Sequence, residues 1–197
     1  MSKPKLVFYG AWGERLVSDS VVRERFGWLI SHLASPKSKT SDGPICPWAG
    51  HAVGSKRFFV GDARRFPSSL AGLLDAMDHT ADQYRGSSVF TPGELHPTTL
   101  TVLLNDGLQA ETIEEGLQLR RPLFTPEGLM LGALDPYNTL TSLAGADGFP
   151  YRAPWNFLTV RWMVPGDYVF LDLNPQYREI YCQFFGGWPA PNKKGPE

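Results

Sequence analysis

Two histidines and two aspartates are the side chains whose types and settings best suit chemistry. His51 and His96 each lie where a loop meets a strand, beside glycine or proline, and such junctions hold a side chain rigidly at the edge of a core. A neutral imidazole held there ligates a metal or transfers a proton; the structural alternative is a hydrogen bond to a backbone carbonyl. Asp106 and Asp167 lie in turn signals and are candidates to complete a metal site or to bind a substrate cation. These four are our candidate catalytic residues, with the two histidines as candidate metal ligands.

Aromatic residues make up 13% of the chain and accompany 17 prolines and 20 glycines. This composition favours an enclosed site for a flat apolar ligand, although aromatics that only fill a core explain it equally well. A haem site needs an axial ligand, a ring-lined apolar pocket and one or two cations for the propionates. The rings and cations that meet this requirement are our candidate cofactor-binding residues: Trp48, Phe58, Arg152, Trp155, Phe157, Arg161 and Trp162.

Other catalytic motifs are incomplete. The segment Gly50–Lys56 is similar to a phosphate-binding loop, but one residue too few separates its glycines and Ser55 stands before the lysine. The two cysteines, Cys46 and Cys182, are too few for a disulfide scaffold or a cysteine-rich zinc site. Cys46 is interpreted as a small buried hydrophobe, with a thiolate haem ligand as the alternative.

Length and charge narrow the classes of protein to consider. The chain has 197 residues, with 19 Lys and Arg against 20 Asp and Glu and a net charge of -1. This balance argues against nucleic-acid binding, which normally requires a basic excess. No apolar run is long enough for a membrane span, so we expect a cytoplasmic protein that acts on a small molecule. We expect one domain over residues 1–188, a flexible tail over 189–197, and a sheet edge compatible with a homodimer.

Hydrophobic periodicity predicts helices and strands in irregular order. The predicted helices are Leu16–Leu33, Leu70–Tyr84, Ala110–Arg120 and Pro175–Phe184. The predicted strands are Arg57–Val60, Thr98–Leu104, Trp155–Val164 and, as the second arm of a hairpin, Tyr168–Leu173. Residues 125–132 predict a short helix or turn. This order favours an α+β fold, a single-domain two-layer sandwich with an antiparallel or mixed sheet and helices packed on one face.

Three segments carry a resemblance to known families. Pro44–Ala49 (PICPWA), Glu127–Gly132 (EGLMLG) and the run from Arg161 to Leu171 resemble a family of uncharacterised bacterial proteins associated with natural-product pathways. The order of elements around Trp155-Asn156-Phe157 is also similar to the YqcI/YcgG family, which includes haem-dependent enzymes that N-oxygenate guanidines. Trp162 stands where the first family commonly has histidine, so no ligand is transferred at that position.

The resemblance implies a haem-dependent tailoring enzyme, an oxidoreductase that acts on a nitrogen-containing small molecule by N-oxygenation or related chemistry. His51 is the first candidate for the axial ligand and His96 the second. Two alternatives stay open: a cofactor-free cyclase or isomerase that uses a histidine as general base, and a ligand-binding module without catalysis.

Overall fold

The computed structural model describes residues 7–10, 19–34, 47–86, 99–138, 151–171 and 174–189. These residues form the helices α1 Ser20–Ala34, α2 Pro47–Gly54, α3 Leu70–Gly86, α4 Ala110–Phe124, α5 Tyr168–Leu171 and α6 Pro175–Phe185. They also form the strands β1 Val7–Gly10, β2 Phe58–Asp62, β3 Thr99–Leu103, β4 Leu129–Leu134 and β5 Phe157–Trp162. No helix among these residues is long and apolar enough to cross a membrane.

The strands join into one mixed sheet in the order β1-β2-β3-β5-β4. Only β2 and β3 run parallel among the described strands; β1 pairs antiparallel with β2, and β5 lies antiparallel between β3 and β4. A parallel pair needs a crossover connection, and α3 supplies it. The α+β class with a mixed sheet is therefore confirmed.

The layering differs from the expected two-layer sandwich, because helices cover both faces of the sheet. On one face, α3 and α4 pack against side chains such as Val102 and Leu158. On the other, α1 and α2 pack against the alternate positions, including Leu103 and Phe157. Since successive strand residues point to opposite faces, the consecutive buried residues Val102 and Leu103 serve both layers.

The four predicted helices are found, but two ends differ most: α1 begins at Ser20 rather than Leu16, and α4 ends at Phe124 rather than Arg120. Asn174 accepts a hydrogen bond from the backbone N–H of Gln176 at the start of α6, and Gly186 ends that helix at a left-handed φ of 75°. By contrast, α4 continues past Pro122 to Phe124. Pro122 is exposed and lies in the last turn, so the hydrogen bond it cannot make is lost where water can replace it.

Two short apolar segments adopt structures that periodicity did not indicate. Tyr168–Leu171 forms the helix α5 after a 3-10 turn, so the predicted hairpin arm is wrong there. Leu129–Leu134 forms the strand β4 rather than a helix or turn. Both segments are brief enough that tertiary packing decides between helix and strand.

Close packing of α3 and α4 depends on Gly116. A β-carbon there would lie 2.6 Å from Leu73 Cδ2, closer than side-chain atoms can approach. This contact places α4 over β4 and beside α3, which lies over β5, where Tyr84 donates its hydroxyl hydrogen to the Val160 carbonyl.

Candidate functional site

The ends of β2 and β3 where the chain leaves the sheet bring together two indoles and an ion pair. Arg25 and Trp28 lie on α1, Asp106 lies in the turn after β3, and Trp155 immediately precedes β5. We call these four residues the Trp155 cluster. Three separate parts of the chain thus meet beyond the ends of β2 and β3, at one end of the sheet.

A fixed loop holds Asp106 in place. The Asn156 side-chain amide donates to the carbonyls of Asn105 and Leu108, at 3.1 Å each. The Asn105 side chain accepts the Gly107 backbone N–H at 2.9 Å and donates to the Arg64 carbonyl. Asn156 is buried, so these bonds tie the turn firmly to the start of β5.

Arg25 grips Asp106 with both terminal nitrogens. The two N–O distances are 2.8 Å, and the guanidinium carbon lies 5.1 Å from the centre of the Trp155 ring. The Arg25 side chain is 13% exposed and that of Asp106 is 53% exposed. The buried Nε of Arg25 has no hydrogen-bond partner among the described residues. The carboxylate is therefore oriented from its buried side while its other side faces solvent.

The two indoles of the cluster pack edge to face. Their ring centres are 6.0 Å apart with an interplanar angle of 87°. Trp28 also stacks on the His32 ring at 4.5 Å, and both tryptophans are half-buried. The result is a wall of partly open aromatic surface beside an open carboxylate.

A second ion network lies at the same end of the sheet. Arg64 bonds Asp62 through Nε and one terminal nitrogen, at 3.0 and 2.9 Å, and reaches Asp19 at 2.8 Å. The hydrogen bond to Asp62 is the main reason that the pKa of Arg64 is raised. The hydrogen bond from Arg64 is also the main reason that the pKa of Asp19 is lowered. The Asp19 Oδ1 accepts hydrogen bonds from the Val21 and Val22 N–H groups at the start of α1. This network fixes α1 against the sheet.

Three sequence-predicted site residues lie together at this end of the sheet: Asp106, Trp155 and Phe157. The Phe157 ring lies 6.5 Å from Trp155 and 6.0 Å from Phe26 and is fully buried. Phe58 is also fully buried in the same core. Only Trp155 and Asp106 of the predicted set present surface here.

Arg161 and Asp167 meet at the far end of β5. Both terminal nitrogens of Arg161 bond the Asp167 carboxylate, at 2.6 and 2.5 Å, and Asp167 Oδ2 also accepts the Val164 N–H at 2.8 Å. The neighbouring Tyr181 donates to the Pro165 carbonyl at 2.7 Å; burial, with Asp167 as a smaller cause, raises its pKa. Asp167 is thus buried with three protein donors and joins β5 to the α5–α6 segment.

The remaining predicted residues are dispersed. The expected place of His51 at a loop–strand junction is wrong, because His51 lies exposed within the helix α2. Arg152 is exposed with its Nε 3.4 Å from the Asn138 carbonyl. Trp162 lies on the opposite face, where its ring meets Tyr84 at 5.5 Å. His96, Cys46 and the Trp48 side chain lie outside the described residues. Among the residues that the structure describes, no three His, Cys, Asp or Glu side chains gather as a metal site would require.

The described residues do not fit a haem. The expected walls are divided between two faces, Phe58 and Phe157 are consumed by the core, and Arg161 is bonded to Asp167. The depression beneath the start of α3 is lined by none of the expected residues and encloses no space for even a water molecule, so it cannot hold a haem.

Sequence reasoning missed Arg25 and Trp28. They lie three positions apart on α1 and so share one side of that helix, the signal that could have paired them. Their partners are 81 positions away or more, and such contacts leave no local pattern.

Comparison with known proteins gives one match. A family model described as "Domain of unknown function (DUF6875)" matches residues 22–194, which is most of the chain. No curated protein and no solved structure matches it.

Proposed function

We propose a function from the premise that the chain belongs to the family described as "Domain of unknown function (DUF6875)", so that its activity must be argued from its own residues. The proposed function is recognition of a nitrogen-containing, positively charged small molecule at the Trp155 cluster, as the binding step of an enzyme that modifies it. Amines and guanidines are the ligand chemistry that this cluster suits.

The carboxylate of Asp106 carries the proposal. A carboxylate has about four acceptor positions, and Arg25 uses two of them. With 53% of the side chain exposed, the others face solvent, where an ammonium or guanidinium can donate. Because Arg25 and the turn already fix this carboxylate, a ligand does not have to order it.

The indoles supply the second element of recognition. A cation beside an indole gains about 0.5 to 2 kcal/mol from the ring quadrupole, and an apolar part of the ligand gains from burial against the rings. Arg25 itself, held by Asp106 over the Trp155 ring, shows that this pairing of groups accepts a guanidinium. The position also agrees with the general preference for ligands at the carboxyl ends of parallel strands.

The test is a binding titration with benzylamine and phenylguanidine, each combining a ring with a cation, and with uncharged benzyl alcohol as the control ligand. We expect both cations to bind the full chain and to change tryptophan fluorescence. Asp106→Asn keeps the shape and removes the charge, so it should weaken binding about tenfold or more.

A matched variant separates this site from any surface ion pair. Asp78 accepts two 2.7 Å hydrogen bonds from Arg120 and is 48% exposed, but no indole among the described residues lies against Arg120. Asp78→Asn should leave binding unchanged. Equal losses in the Asp78→Asn and Asp106→Asn proteins, or cation binding no tighter than that of benzyl alcohol, would contradict the proposal.

The haem expected from the resemblance is tested separately. The visible spectrum of the purified protein, before and after addition of haemin, reports haem through its Soret band. Since the described residues do not fit the group, no step of the proposed recognition depends on it. A Soret band that His51→Ala abolishes would show that His51 is its ligand and would reinstate the haem-dependent reaction.

A further inference from the structure

The outer edge of β4 is the longest unpaired backbone surface in the described sheet. β4 ends the strand order and, within the described residues, pairs only with β5. The Gly128 carbonyl accepts the Met163 N–H at 2.6 Å, and this pair belongs to the same register as Leu129 with Trp162. Because antiparallel pairs alternate, Met130 and Gly132 also bond β5, whereas Leu129, Leu131 and Ala133 direct their N–H and C=O groups outward.

This edge lacks the usual protection against pairing. Natural edge strands carry charges, prolines or bulges that block the addition of another strand. The sequence of β4 is LMLGAL, with no charge and no proline. At its far end the Asn138 side chain donates to the Ala133 carbonyl at 3.3 Å, which limits the open edge to the residues before it. An open apolar edge of this kind fits another strand.

The helix above the edge carries a self-complementary charge pattern. Gly116 and Arg120 face α3, through Leu73 and Asp78. Residues about half a helical turn away point in the opposite direction, past β4, because α3 lies over β5 and α4 over β4. Those residues are Glu114, Gln118 and Arg121, at spacings of four and three. Within one helix the Glu114 carboxylate accepts from Gln118 at 3.2 Å and lies 3.7 Å from Arg121, so all three side chains lie along one stripe.

We propose that β4 and this stripe of α4 form the interface with a second copy of the chain. A two-fold axis perpendicular to the sheet would pair β4 antiparallel with its equivalent, centred near Leu131, so that the sheet continues across both copies. The same axis brings the two α4 helices side by side and antiparallel. Glu114 then faces Arg121 of the second copy, and Gln118 lies near the axis.

Charge reversal tests this arrangement. We expect the native chain to sediment as a dimer at micromolar concentration. Glu114→Arg and Arg121→Glu each place like charges across the axis and should weaken the dimer about tenfold or more, and the double reversal should restore it. Glu115→Arg makes the same charge change on the solvent side of α4 and should leave the dimer intact.

Amide hydrogen exchange gives a second measurement that needs no variant. The Leu131 N–H should become protected as concentration rises, whereas the Met130 N–H, bonded to β5, should be protected throughout. A native chain that stays monomeric at high concentration, or reversal variants that dimerise like the native chain, would overturn the proposal. Protection of Leu131 in a chain that sediments as a monomer would also overturn it, because the chain itself would then cover the edge.

Discussion

Two Arg–Asp pairs with the same bonding pattern have opposite surroundings. Arg161 and Arg25 are each 13% exposed, and each bonds both oxygens of its partner. Their carboxylates differ: Asp167 is 1% exposed and Asp106 is 53% exposed. A buried carboxylate that accepts three hydrogen bonds from the protein serves to hold the fold together, whereas one that is half open can also meet a ligand. Burial of the anion, rather than the bond to arginine, separates structure from recognition here.

Removal of the buried anion should have the largest effect. Asp167→Ala leaves the largely buried Arg161 guanidinium without its carboxylate and removes the acceptor of the Val164 N–H. We expect a loss of about 3 to 5 kcal/mol in the free energy of unfolding, measured by urea denaturation. A loss below about 1 kcal/mol would mean that the pair is solvated and that the comparison fails.

Removal of the two arginines should sharpen the contrast. Arg161→Met strands a buried carboxylate and should destabilise the fold by about 3 kcal/mol or more. Arg25→Met leaves Asp106 in contact with water, keeps an apolar stem on Trp155 and removes an unpartnered donor, so we expect a loss of about 1 kcal/mol. The two variants should be compared in one denaturation series. Similar losses would show that the exposure of the carboxylate does not matter.

Stability and binding should separate at Asp106. Asp106→Asn and Asp78→Asn both weaken a half-exposed ion pair, so each should change the free energy of unfolding by about 1 kcal/mol or less. Only the first should reduce binding of the cationic probes. A thermal-shift experiment with and without phenylguanidine measures both quantities, and a ligand-induced shift that survives Asp106→Asn would place the binding site elsewhere.

The smallest effect concerns acid stability. The hydrogen bond from Arg64 lowers the pKa of Asp19, so the ionised form stabilises the folded state above the ordinary aspartate pKa, and this contribution is lost as the pH falls through the lowered value. Asn also caps helices, so Asp19→Asn keeps the cap and removes only the charge. The native chain should be slightly more stable than this variant at neutral pH, and the difference should vanish in acid. A difference that persists there would indicate a role for the side chain beyond its charge.

Local patterns indicated much of the fold. The periodicity of Leu70–Tyr84 and the apolar run of Thr98–Leu104 predicted α3 and β3 because each forms a long, regular buried surface. Periodicity was ambiguous for Leu129–Leu134, whose strand structure depends on pairing with β5. Val102, Leu103 and Leu104 are consecutive apolar residues, and all three are buried. Such a run is typical of a strand in a sheet covered on both faces, so it argued against the predicted two-layer arrangement.

Only part of the candidate site could be predicted from the sequence. Turn chemistry singled out Asp106, and aromatic content singled out Trp155. Arg25 could not be singled out, because nothing within one helix indicates that a guanidinium will meet a carboxylate 81 positions later. The pairing of Arg161 with Asp167 required the 3-10 turn between them, which the predicted hairpin left out. His96 and the Trp48 side chain remain predictions.

The Trp155 cluster draws its members from residue 25 near one end of the chain to residue 155 near the other. No short segment of the chain contains both partners of such contacts, so they depend on the helices and strands that lie between them in sequence. A fragment that lacks either end therefore cannot present the two halves of the cluster together. The proposed binding of a cation therefore requires the assembled chain, and a fragment that ends before Trp155 would lack the ring on which that binding depends.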